Sequence, residues 1–175
     1  SALLPDPRMC QIVKTNQAYT PLQLANYICT LVSGGVRREP HLLKAVKSYD
    51  NSQVLAVGNT EPVQTLELHD ATLEAVKKGM YGYTQPGGSV AAYFQNCVVT
   101  AGAKTGTSQL GGDQKDNGVF VCFAPYDDPE IVVSIVIEHA GSGAALAPSA
   151  VKILNAYFSA DNVSGSITGE NQLLP

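Results

Sequence analysis

Tryptophan is absent from this 175-residue chain, and charge is sparse: 15% of residues are Asp, Glu, Lys or Arg, for a net charge of -4. Lys and Arg form no block longer than Arg37-Arg38 or Lys77-Lys78. That excludes the basic face on which nucleic-acid binding depends, so no nucleic-acid partner is expected. No stretch approaches the roughly 18 apolar residues of a membrane-spanning helix. Ser1-Ala2-Leu3-Leu4-Pro5 has neither a basic flank nor a long apolar run, so no signal peptide is expected there. The four cysteines, at 10, 29, 97 and 122, show no Cys-x-x-Cys spacing and no histidine pattern beside them, which removes the common zinc signatures. Gly34-Gly35 and Gly111-Gly112 are turn glycines outside any nucleotide-binding frame. No cofactor is expected.

What is present suits one folded domain. Hydrophobic residues make up 45%, an ordinary share, and the length allows a real core. No repeat or linker divides the chain. After an irregular start, Thr20-Pro21-Leu22-Gln23 is a helix opening. Thr20 can cap, Pro21 fits the first helical position, and Gln23 can close a capping box. Leu22, Ala25, Cys29 and Val32 form one apolar stripe, widened by Leu24, Ile28 and Leu31, so this helix is expected to be buried on most sides. Ser33-Gly34-Gly35 ends it.

A strand is expected over Arg37 to Val46, edge-bound by Pro40, and a short one over Gln53 to Val57. A second helix is expected from about Thr65 to Met80, with Leu66, Leu73, Val76 and Met80 on one face and Lys77-Lys78 near its C-terminus. A short helix through Ala91 to Phe94 follows. Then come a strand around Lys104, a polar hairpin loop over Leu110 to Gly118, and strands at Val119 to Phe123 and Ile131 to Ile137. Short loops between these three strands argue an antiparallel sheet. A helix from roughly Ala144 to Phe158 and a loose tail from Ser159 close the chain. Cys29 and Cys122 read as small buried thiols; counting leaves the pairing of Cys10 and Cys97 open.

The chemistry concentrates in Ala103-Lys104-Thr105-Gly106-Thr107-Ser108. A lysine and three hydroxyls lie beside a glycine, in a run that is otherwise nearly free of side chains. Small residues let a substrate backbone lie against an edge strand, while Lys104 and the hydroxyls meet negative charge. Lys104-Thr105-Gly106-Thr107 resembles the Lys-Thr-Gly signature of penicillin-binding proteins and class A β-lactamases. Tyr19-Thr20-Pro21-Leu22-Gln23-Leu24-Ala25-Asn26 and Gly34-Gly35-Val36-Arg37-Arg38-Glu39-Pro40-His41-Leu42-Leu43 resemble the helix opening and following turn of the class B, monofunctional members. Phe123-Ala124-Pro125 and Val136-Ile137-Glu138-His139-Ala140-Gly141 resemble their two later strands. The resemblance covers roughly residues 15 to 158.

This resemblance implies an α/β (α+β) fold in which an antiparallel sheet is flanked by helices. The chain would be the C-terminal segment, 1–175, of a single transpeptidase domain. It implies serine acyl transfer: a Ser-x-x-Lys nucleophile, a Ser-x-Asn motif, and the Lys-Thr-Gly strand. No Ser-x-Asn occurs here. The one Ser-x-x-Lys, Ser149-Ala150-Val151-Lys152, follows Lys104 and lies in the expected last helix, so it reads as helix surface. The nucleophile-bearing remainder would therefore be a separate polypeptide and the first partner. The others implied are peptidoglycan stem peptides, β-lactams and a cell-wall synthesis complex, at the outer face of the cytoplasmic membrane behind an N-terminal anchor.

By the same resemblance, Lys104 supplies charge for proton transfer and substrate attraction. Thr105 and Thr107 offer hydroxyls to a carboxylate, and Gly106 keeps the strand open. The Thr107 N–H forms half of an oxyanion hole, and Ser108 is a further lining candidate. A carboxypeptidase or β-lactamase relative, or a degenerate binding domain, is the alternative function. Members of the family often carry an aromatic residue before the next strand, where this chain has Asn117-Gly118-Val119-Phe120; Phe120 is the candidate for that bulk. The segment before Tyr19, usually rich in Gly and Gln, reads Lys14-Thr15-Asn16-Gln17-Ala18. His41, His69 and His139 read as surface or packing residues, with Glu138 and His139 as candidates to border the cleft.

Overall fold

The computed structural model describes residues 12–13, 18–108 and 115–160. After a two-residue pairing of β1 (Ile12–Val13) with β2 (Ala18–Tyr19), α1 runs Pro21–Val32. Its start is the expected capping box: the Gln23 N–H donates to Thr20 Oγ1 at 3.1 Å, and the Thr20 N–H donates to Gln23 Oε1 at 2.8 Å. Its end is a Schellman turn. Gly34 and Gly35 have φ of 72° and 90°, and the Gly35 N–H reaches back to the Thr30 carbonyl at 2.8 Å.

The single strand expected over residues 37 to 46 is two. β3 (Val36–Arg38) pairs with β6 (Pro62–Thr65), and β4 (Ala45–Lys47) pairs with β5 (Val54–Val57), both antiparallel. Pro40 falls in the break, where it cannot donate to a ladder. The second helix also differs from expectation: α2 spans Asp70–Thr84. Thr65, the expected start of the helix, pairs with Val36 of β3 instead, and the Leu66 N–H bonds to the Gly35 carbonyl at 3.0 Å. Asp70 then opens α2, where a negative charge meets the positive end of the helix. Gly79 and Gly82 do not stop it. Nothing stands within 4 Å of the Cβ position at either, and the cost of about 1 kcal/mol per glycine is opposed by packing of Met80 in the core.

After α3 (Ala91–Phe94), three strands form one antiparallel sheet in the order β7-β8-β9: Gly102–Ser108, Asn117–Ala124 and Ile131–Ile137. β8 is central, and all eight of its residues are buried. A 3-10 turn at Gly143–Leu146 leads into α4 (Ala147–Ala160). Residues 161–175, most of the expected loose tail, fall beyond the described residues, as do Cys10 and Gly111-Gly112.

The sheet separates two cores. On one face Phe120, Cys122 and Ala124 meet Phe94 of α3 and Ala147, Ala150, Val151 and Leu154 of α4. On the other, Val121 and Phe123 meet Ile28 of α1 and Met80 of α2. Each fully buried side chain of the size of Phe123 or Leu154 contributes about 1.5–3 kcal/mol. This is the α/β architecture expected, an antiparallel sheet between helices.

Two burial expectations need correction. α1 buries one side, not most: only Ile28 and Thr30 of its residues are buried, while Leu22 and Tyr27 are 61% and 62% exposed. Cys29 is exposed for the same reason. It sits on a face that lines a groove with β3 and β9 and does not enter either core. Cys122 is fully buried, as expected, and Cys29, Cys97 and Cys122 are all free thiols.

Candidate active site

Among the described residues β7 is an edge strand bonded to β8 alone, so alternate backbone groups on its other side are left for a ligand. The strand begins with small residues because the core requires them. Ala101 and Ala103 are buried, and a Cβ on Gly102 would sit 2.5 Å from the Phe123 ring. The run emerges at Lys104, which is exposed, with Thr105, Gly106 and Thr107 half-buried after it. In register, Lys104 lies opposite Val121, Thr105 opposite Phe120, Gly106 opposite Val119 and Thr107 opposite Gly118. Thr105 and Thr107, two apart on a strand, share a face. Ser108 is only 2% exposed.

The structure adds a residue that sequence reasoning missed. Tyr83, in the last turn of α2, places its hydroxyl 2.6 Å from Thr105 Oγ1. The Lys104 ammonium lies 5.3 Å from the centre of the Tyr83 ring, within cation–π reach, and donates to the Thr105 carbonyl at 2.9 Å. The next residue clamps this helix end to the strand: Thr84 Oγ1 donates to the Ala101 carbonyl at 2.7 Å, out of solvent. No local pattern could have flagged Tyr83, because the contact joins residues in separate elements.

From the other side the 3-10 turn closes on the same strand. A Cβ on Gly143 would overlap the carbonyl oxygens of Val119 and Gly106, so this backbone approach requires glycine.

The remaining candidates lie elsewhere. Ser149 and Lys152 are exposed on α4, away from the stripe of Ala147, Ala150, Val151 and Leu154 that packs on the sheet. Glu138 and His139 are exposed at the end of β9, across β8 from β7. The His139 N–H donates to Asn117 Oδ1 at 3.0 Å, and its Nδ1 lies 3.1 Å from the Lys115 carbonyl. Phe120 supplies no rim: it is fully buried and stacked on Phe94 at 6.3 Å between ring centres. Among the described residues no group of three His, Cys, Asp or Glu is placed to hold a metal. A groove of about 530 Å³ lies off this site, between α1, β3 and β9, lined by Leu22, Ala25, Cys29, Val36 and Ile131 among others.

Lys104 and the threonine hydroxyls, on an edge strand pinned by a helix end on one side and a glycine turn on the other, can meet an anionic ligand. Residues 8–157 match the family model described as the penicillin binding protein transpeptidase domain. This chain belongs to that family.

Over 158 residues it is 30% identical to the peptidoglycan D,D-transpeptidase MrdA of Escherichia coli strain K12, covering 82% of this chain and 25% of that protein. It is thus similar to a class B penicillin-binding protein while spanning about a quarter of its length. The solved structure of Pseudomonas aeruginosa PBP2 in complex with WCK 5153 superposes with a TM-score of 0.69 at 26% identity, over 82% of this chain and 31% of that one. Helicobacter pylori PBP2, solved in complex with MreC, has the same TM-score at 23% identity over 86% of this chain and 26% of that one. At that identity the likeness concerns the penicillin-binding fold alone.

Proposed function

We propose that this chain is the C-terminal segment of the transpeptidase domain of a class B penicillin-binding protein and supplies its Lys-Thr-Gly strand. The complete enzyme cross-links peptidoglycan stem peptides and is acylated by β-lactams. The observation that carries this reading is the edge position of β7, with Lys104 exposed and Thr105 and Thr107 on one face.

A serine on the remainder of the protein attacks the carbonyl of the penultimate D-Ala, and its proton passes to the lysine of Ser-x-x-Lys. The negative oxygen of the tetrahedral stage is held by the Thr107 N–H together with the N–H of that serine. Such donors act on charge that develops only then. The terminal D-Ala leaves as the free amine with the proton that the lysine had taken. An amine of a neighbouring strand then takes the acyl group, its proton returning through the lysine to the serine oxygen. Lys104 organises the proton transfer and draws in the substrate carboxylate. Thr105 and Thr107 bind that carboxylate, Gly106 allows close approach, and Ser108 supports the strand from within. β-Lactams acylate the same serine.

The nucleophile-bearing remainder is the obligatory partner, and the protein works at the outer face of the cytoplasmic membrane. No helix among the described residues is long and apolar enough to cross one. A place in a cell-wall synthesis complex is part of the same proposal; the H. pylori relative was solved with MreC bound.

The test is labelling of the complete protein with a fluorescent penicillin, followed by mass spectrometry of the labelled peptide. Label on a serine outside this chain, lost in Lys104→Ala, is expected. A folded, complete protein that takes no label overturns the transpeptidase reading and favours a degenerate binding domain. Label on Ser149 would move the nucleophile to α4 and overturn the role given to the remainder.

A further inference from the structure

We propose that Tyr83 is a positioning residue that sets the proton of the Thr105 hydroxyl toward the substrate carboxylate. The inference rests on the function proposed above and extends it to a residue outside the Lys-Thr-Gly strand.

A threonine hydroxyl has one proton and two acceptor lone pairs, and it rotates to suit its neighbours. Left alone, Thr105 would divide its proton among solvent, backbone and ligand. Tyr83 removes that freedom. Its hydroxyl is 2.6 Å from Thr105 Oγ1, at the short end of the O–H···O range, and both side chains are half-buried. An incoming carboxylate has only acceptors, so it selects the arrangement in which Thr105 donates to it. The Tyr83 O–H then donates to Thr105, and the two protons line up toward the anion in one chain, each bond strengthening the next.

The tyrosine is itself fixed. Its ring lies 5.3 Å below the Lys104 ammonium, and the adjacent Thr84 ties the helix end to the Ala101 carbonyl. The phenol, the hydroxyl and the ammonium therefore form one unit around the anion position, although they come from two elements.

The experiment compares acylation rates of the complete protein and its variants with a penicillin and with the corresponding penicillin methyl ester, which lacks the carboxylate charge. Tyr83→Phe keeps the ring under Lys104 and removes only the hydroxyl. The expected result is a loss of about fivefold to tenfold in the second-order rate with the acid, the size of one hydrogen bond, and no loss with the ester. Thr105→Val combined with Tyr83→Phe should be no slower than Thr105→Val alone, because the phenol acts through that hydroxyl.

Equal losses for acid and ester, a Tyr83→Phe rate matching wild type, or losses that multiply in the double variant would each overturn the positioning role alone. Wild-type protein that is not acylated at all would overturn the proposed function and this inference together. Thermal melting reports whether each variant folds. Tyr83→Met, which keeps apolar bulk without a donor, takes the same assay if Tyr83→Phe does not fold.

Discussion

Asp50 and Cys122 stand at opposite extremes of exposure, and each titrates away from its ordinary value for a nameable cause. At the tip of the β4–β5 hairpin, Asp50 accepts from the hydroxyls of Ser48 and Ser52 and from the Ser52 N–H. These bonds favour the carboxylate and bring it down to about 2. The turn is thus reinforced above the ordinary carboxylate value of 3.8 and loses that support as pH falls through the lowered one. An NMR titration of the Asp50 carboxyl should find its midpoint near the lower figure, and Ser48→Ala should raise it. Burial pushes the Cys122 thiol up to about 12, with the nearby Cys97 adding to the effect. The fold therefore loses stability as pH climbs from 9.0 toward that value. At pH near 8, iodoacetamide should alkylate Cys29 and leave Cys122 untouched until denaturant is added. Among single residues, Lys104 to Thr107 stand out in the sequence as candidates because the signature is contiguous. Tyr83 does not, because its partner Thr105 is reached only through the docking of α2 on β7.

Elements that obey local rules came out as the sequence implied them. The cap at Thr20, the stop at Gly34-Gly35, and the apolar runs of β8 and β9 are written within a few residues of where they act. Replacing Thr20 by Ala should cost about 1 kcal/mol in urea unfolding, the usual value of an N-cap side chain. Elements set by distant pairing were misjudged. Residues 65 to 69 look like the first turn of α2 because Leu66 fits its apolar face, but Thr65 ends β6 in pairing with β3 and the helix opens only at Asp70. The exposure of α1 was equally hidden, since an apolar stripe does not reveal how much of it the rest of the fold covers. Gly143→Ala tests the least forgiving contact between elements. The added methyl meets backbone on both β7 and β8, so a loss of about 1–3 kcal/mol in the same unfolding assay is expected. It should come with slower penicillin acylation in the complete protein, as Gly106 shifts.

Across the molecule, stability is unevenly shared. β8 contacts both cores along its whole length, whereas β4 and β5 carry Val46, Val54, Leu55 and Val57 at 42% to 70% exposure. An isolated two-stranded ribbon is marginal in water, and regions with few buried contacts open first. Hydrogen exchange should therefore find the β8 amides slowest and those of the β4–β5 hairpin among the fastest. Comparable protection in both would contradict this division. The packing of helices on the sheet was legible from the order of strands and helices. The large groove between α1, β3 and β9 was not, because it depends on how far those elements stand apart.

The consecutive pairing of β7, β8 and β9 also bears on the order in which the protein is made. Among the described residues each of these strands bonds only to its neighbours in the chain, so the sheet assembles from contacts between nearby residues, which form quickly. The edge that carries Lys104 can thus take shape once β8, β9 and the Gly143 turn that closes on it have been synthesised.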